Sequence, residues 1–122
     1  MAKLAVLASG NGSNFEALVL AVRAAGHETA ILICDRPGAF ALERAARLGV
    51  PALVVRYTGR PREETEAEIA SALDEAGAQF VALAGFMRVL GPSFVRRFAG
   101  RLVNVHPSLL PEIGRASCRE RV

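Results

Sequence analysis

Cysteine is scarce: Cys34 and Cys118 are the only two in the chain, too few for a disulfide framework. Apolar runs are short and broken by Gly, Arg or Asp, so none reads as a membrane span. Residues 1–20 lack the charged start, long apolar core and small-residue cleavage pattern of a secretory signal. Lysine is nearly missing, Lys3 standing alone against fourteen arginines, and these are scattered among glutamates rather than gathered in a stripe. The net charge of +3 is therefore no nucleic-acid footprint, although it is compatible with a small anionic substrate. No Gly-Lys-Ser or Gly-Lys-Thr triplet occurs, which excludes a nucleotide-triphosphate loop. No group of His, Cys, Asp and Glu has metal-ligand spacing. Disorder and collagen-like repeats are excluded by a 52% apolar content with eleven Gly and six Pro. The expectation is a cytoplasmic, soluble domain with no metal and no nucleic-acid or membrane partner.

What is present suits one α/β domain of 122 residues. Residues 3–8 (KLAVLA) form a short apolar run that meets a Gly/Asn/Ser cluster, the pattern of a buried strand ending in a tight loop. Phe15, Leu18, Val19 and Val22 then recur at helical spacing, with Gly26 as a stop. The alternation continues with strands over 29–34, 52–55, 79–84 and 101–105. Helices are expected over 39–48 and 63–76, and a short one from Pro92 through Arg97. Such alternation predicts βαβ crossovers and a Rossmann-like open sheet of mainly parallel strands with helices on both faces. Ligands of such sheets sit at the carboxyl ends of the strands. Three polar clusters fall there, at residues 9–14, 85–88 and 104–106.

In the first cluster, Ser9-Gly10-Asn11-Gly12-Ser13-Asn14, glycines permit a sharp turn into a helix whose first N–H groups can hold an anion. A plain helix cap by Ser13 or Asn14 is the competing reading. A dinucleotide fingerprint fits poorly, because Phe15 occupies the place of its third glycine, although Asp35 ends the second strand as such a fold would require. In the second cluster, Asn104 and His106 point to one side of an extended strand, with Val105 turned away. An imidazole and an amide so placed can polarise a carbonyl and stabilise the developing negative charge; a capping Asn and a satisfied His are the alternative. In the third, Phe86, Met87 and Leu90 suit either a pocket for a flat ligand or the core, and helical spacing favours the core for at least two of them. Arg88 and Arg62 are candidates to meet an acidic ligand. Cys34 reads as core, and His27 as a surface residue.

From Glu112 onward the chain reads EIGRASCRERV, without apolar periodicity. Codons for this peptide match, from their second base, a widely used short-read sequencing adapter whose next codon is a stop. The expectation is that residues 113–122 are read-through, with Glu112 on a hybrid codon, and that the native frame continues differently after Pro111.

Residues 9–14 after the first strand, AGFMRVL at 84–90 and LVNVHPSLLP at 102–111 together resemble the phosphoribosylglycinamide formyltransferase family, in order and spacing, over roughly the first half of such an enzyme. The resemblance implies transfer of a formyl group from 10-formyltetrahydrofolate, as co-substrate, to 5-phosphoribosylglycinamide in purine synthesis. Asn11, Gly12, Ser13 and Asn14 would hold the ribonucleotide phosphate. Met87, Arg88, Val89 and Leu90 would border the folate pocket, with Arg62 near the ribonucleotide or the folate tail and Asn104 reaching in. Asn104 and His106 would be catalytic. The family also uses an aspartate some three dozen residues after that histidine, a position this chain does not contain. A formyltetrahydrofolate hydrolase is the alternative within the same superfamily. A dinucleotide-binding oxidoreductase or a non-catalytic nucleotide-binding domain is the more distant one.

Overall fold

The computed structural model describes residues 1–105, so His106 and the 112–122 peptide lie outside the described residues. Five strands and four helices alternate: β1 (Lys3–Ala8), α1 (Ser13–Ala24), β2 (Glu28–Cys34), α2 (Phe40–Leu48), β3 (Ala52–Val54), α3 (Arg62–Ala76), β4 (Phe80–Leu83), α4 (Pro92–Arg97) and β5 (Leu102–Asn104). The strands form one sheet in the order β3-β2-β1-β4-β5, and every neighbouring pair is parallel. Each element expected from periodicity is present, with ends shifted by a residue or two.

Alternation along β1 explains the layering. Ala5 and Leu7 face one side and join Ile69 and Leu73 of α3 and Phe94 of α4 in one apolar cluster. Val6 and Ala8 face the other and pack with Phe15 and Val19 of α1 and Ala41 and Ala45 of α2. All four of these β1 side chains are fully buried, which is why the strand reads as a continuous apolar run rather than an alternating one. The helices thus cover both faces: α1 and α2 on one, α3 and α4 on the other.

Strand order reverses between β1 and β4. Successive connections run outward from β1 to β3, then α3 carries the chain back across the sheet to β4. Connections leaving the reversal point diverge to opposite faces, which opens a crevice at the carboxyl ends of the two strands. Residues 9–14 leave β1 there, and residues 84–90 leave β4.

Candidate functional site

The loop after β1 is built by contacts from α2. Gly12 is the N-cap of α1 and adopts the left-handed conformation, φ 84°. A Cβ placed on it would lie 2.7 Å from both Cα and Cβ of Ala41, so only glycine permits the loop to rest on α2. The Ala41 N–H donates to the Gly10 carbonyl at 3.2 Å. Arg44, one turn along, donates from Nε to the Asn11 carbonyl (2.9 Å), from Nη2 to Asn11 Oδ1 (2.7 Å), and from Nη1 to Glu16 Oε1 (2.7 Å). One guanidinium therefore fixes both the backbone and the side chain of Asn11. The capping account of this cluster is corrected: Gly12, not Ser13 or Asn14, occupies the N-cap, and no side chain caps the helix. Ser13 and Asn14 follow as the first two helical residues, ahead of Glu16, whose N–H donates to the Gly12 carbonyl at 2.9 Å; amides at such leading positions have no intrahelical acceptor. Their positive end of the helix dipole opens at the strand ends, the arrangement that favours an anion.

The loop after β4 turns at Gly85, φ 75°, and then divides its side chains. Phe86 and Leu90 pack against the α3/α4 core, as their spacing suggests. Met87 and Val89 are 69% and 77% exposed, an unusual placement for large apolar groups beside a crevice. Arg88 does not face outward as a free cation. Its Nε donates to Asp35 Oδ2 at 2.7 Å, and its guanidinium carbon lies 4.6 Å from the centre of the Tyr57 ring. Tyr57 in turn meets Phe86 edge-on at 6.4 Å, and burial pushes its phenol above the ordinary value of 10.0. At the loop's far end the Gly91 N–H donates to Glu66 Oε2 at 2.7 Å. Arg62, the first residue of α3, places its Nε 3.9 Å from that same oxygen. Arg62 thus stands where the loop ends, beside Gly91.

Ser9 joins the two loops. It is buried; its N–H donates to the Gly85 carbonyl at 3.3 Å, and its Oγ accepts the Met87 N–H at 2.8 Å. Between the loops lies a cleft of about 300 Å³, lined by residues 9–14, Arg36, Ala84, Gly85 and Met87. Asn104 ends β5 in register with Leu83, immediately before Ala84 of the cleft wall. Adjacent strands are about 4.8 Å apart, so Asn104 sits at the same end of the sheet. His106 falls outside the described residues. Cys34 is buried, with its Sγ donating to the Arg36 carbonyl at 3.3 Å, and burial pushes its thiol above the ordinary 9.0; it is a core residue, as read from the sequence. His27 accepts the Ala2 N–H on Nδ1 at 2.9 Å, an exposed tie between the chain start and the α1–β2 turn.

The structure therefore brings Asn11, Gly12, Ser13, Asn14 and Met87 to one cleft, places Val89 and Leu90 on the adjoining loop, and sets Arg62 at that loop's end. Sequence reasoning missed Arg44 and Glu66, each of which acts on a partner 33 or 25 residues away. Among the described residues, no group of three His, Cys, Asp or Glu converges on a point that could hold a metal. No described helix is long and apolar enough to cross a membrane. A dinucleotide site is disfavoured on two counts. Phe15 is wholly buried where a third glycine would let helix and strand approach, and the Asp35 carboxylate is closed off by Arg88.

A doubly wound parallel sheet, with a glycine turn and a cleft at its point of reversal, defines an open Rossmann-like α/β domain. Residues 2–119 match the family model described as Formyl transferase. The chain is 38% identical over 118 residues to the phosphoribosylglycinamide formyltransferase of Bacillus subtilis (strain 168), covering 91% of this chain and 58% of that protein. It is 44% identical over 115 residues to the trifunctional purine biosynthetic protein adenosine-3 of Drosophila melanogaster, covering 90% of this chain and 8% of that one. A crystal structure of glycinamide ribonucleotide transformylase 1 from Geobacillus kaustophilus superimposes with a TM-score of 0.81 at 43% identity, covering 97% of this chain and 64% of that one. The chain belongs to the formyl transferase family. It spans between half and two thirds of the single-function relatives it matches.

Proposed function

We propose that the intact protein transfers the formyl group of 10-formyltetrahydrofolate to the amine of 5-phosphoribosylglycinamide. The observation that carries this reading is the anion cradle at residues 11–14, held open by Arg44 and facing a second loop with exposed apolar side chains. Asn11, Gly12, Ser13 and Asn14 take the ribonucleotide phosphate on backbone and side-chain donors. Met87, Val89 and Leu90, with the Arg88 backbone, border the folate, and Arg62 lies towards its acidic tail. The names of the relatives above support formyl transfer and the phosphoribosylglycinamide acceptor. Residues 1–111 then form the amino-terminal part of the formyltransferase domain, and residues 112–122 are adapter read-through. Sequencing the locus by an independent method tests that boundary: recovering the same peptide from genomic DNA would overturn it.

The chemistry is acyl transfer. The amine lone pair attacks the formyl carbon, and the carbonyl electrons move onto oxygen. The Asn104 amide and a protonated His106 donate to that oxyanion, the kind of stabilisation that contributes most to such reactions. Collapse re-forms the carbonyl, expels the folate nitrogen and moves the amine proton to it, with His106 serving general acid–base transfer worth about 10²–10⁴-fold. Holding both substrates across one cleft supplies further rate.

The test uses the full-length enzyme. Replacing Ser13 and Asn14 together by Ala should weaken ribonucleotide binding by about 1.5–3 kcal/mol, the value of hydrogen bonds to a charged phosphate. Folate binding should stay unchanged. Calorimetry showing undiminished ribonucleotide affinity would return the cluster to a structural turn.

A further inference from the structure

The Asp35 side chain is 1% exposed, yet no step of the proposed chemistry uses it. Its Oδ2 accepts from Arg88 Nε, while Oδ1 has no partner among the described residues. Only the carboxylate is buried, Arg88 being partly exposed, and withdrawing one charge from water to meet a half-exposed partner is a poor device for stability. The pair therefore invites a reason connected with what it holds. On its other side Arg88 lies over Tyr57, whose ring also abuts Phe86. Contacts from the end of β2 and from the β3–α3 connection thus converge on Phe86 and Arg88, the two neighbours of Met87. The Met87 N–H is itself tied to Ser9.

We propose that Asp35 and Tyr57 are positioning residues that act through Arg88 to fix the backbone of residues 85–90, and so set the pose of the folate co-substrate's flat ring. This rests on the folate reading of that loop. The Arg88 guanidinium is committed to Asp35, so its side chain works by holding the loop rather than by binding a ligand anion. Without Asp35, Arg88 swings towards solvent, since it is already 40% exposed. The wall beside the folate then samples several conformations. Ribonucleotide binding on residues 11–14 depends on Arg44 and Ala41 instead, and is insulated from the change.

The experiment measures separate KM values for 10-formyltetrahydrofolate and ribonucleotide in the full-length enzyme. Asp35→Ala should raise the folate KM about tenfold or more, with kcat changed no more than about twofold and the ribonucleotide KM unmoved. Asp35→Asn, which keeps an acceptor for Arg88 Nε, should recover most of the loss. Asp35→Ala combined with Arg88→Leu should be no worse than the more severe single variant, as expected of residues acting as one unit. The ¹⁵N resonance of Arg88 Nε reports the contact directly and should lose its protection from exchange in Asp35→Ala. Tyr57→Leu should raise the folate KM in the same sense. Equal rises in both KM values, or strictly additive losses in the double variant, would overturn the positioning role and leave a general folding role. A wild-type enzyme that saturates with 10-formyltetrahydrofolate while Asp35→Ala leaves that KM unchanged would overturn positioning alone. A wild type with no saturable dependence on 10-formyltetrahydrofolate would instead overturn the folate reading, and this role with it.

Discussion

The two loops flanking the cleft are built on different plans. The loop after β1 is fixed from beneath: Gly12 rests on Ala41, and Arg44 binds Asn11 twice. The loop after β4 is fixed at discrete points, by Ser9, Asp35 and Glu66, while Met87 and Val89 stand in solvent. A compact anion needs donors set in advance, and fixed backbone amides provide them without reorganisation. A large flat ligand gains from apolar surface, and that surface can wait for its cover. The contrast is between a loop packed along its length and a loop pinned at separate points.

Substitutions can break that contrast. The largest effect should come from Gly12→Ala, whose Cβ would meet Ala41 backbone in a left-handed conformation. Strain and overpacking together should cost about 2–4 kcal/mol, measured by denaturant unfolding, with ribonucleotide binding lost alongside. If Gly12→Ala unfolds at the same denaturant concentration as wild type, the first loop is not set by its packing on α2. Next comes Glu66→Ala, which leaves the buried Gly91 N–H without an acceptor and should cost about 1–3 kcal/mol. Arg44→Ala should be milder, about 0.5–1.5 kcal/mol in stability, because its partner Glu16 is partly exposed. Its signature is weaker ribonucleotide binding at unchanged folate affinity, read by calorimetry. Equal loss of both affinities would mean the loops are not independently supported. Val89→Ser should be the smallest, within about 0.5 kcal/mol in stability, and should show itself only as weaker folate binding. A marked fall in stability from Val89→Ser would make that loop part of the core and erase the distinction.

The layers of this fold could be read from the chain because burial leaves a periodic trace. β1, β2 and β4 lie inside the sheet and appear as unbroken apolar runs, and the stripe of Phe15 and Val19 marks the sheet-facing side of α1. The division of residues 86–90 was half visible: Phe86 and Leu90 are four apart and share the core, while the outward turn of Met87 follows from a glycine-led loop with no fixed period. What left no trace was tertiary. Gly12 is required because Ala41 sits against it, and nothing near residue 12 announces that neighbour. Ser13 and Asn14 are good capping residues by type, which kept a plain cap open as the competing reading, but the N-cap falls one residue earlier, at Gly12. Arg44, Asp35 and Glu66 act across 33, 53 and 25 residues respectively, distances at which local pattern carries no information. The candidate site was thus visible as loops and invisible as a framework.

Among the described strands the central one is the first to be synthesised, and that has a cost during translation. β1 can pair with β2 as soon as residue 34 has emerged, but its other edge takes β4, where Leu4 aligns with Phe80. At ordinary ribosomal rates that edge stays open for roughly 4–15 seconds. An open apolar edge is a template for pairing with other chains. The placement that brings the two loops together in the finished domain therefore makes the nascent chain dependent on protection at its central strand until the fourth strand arrives.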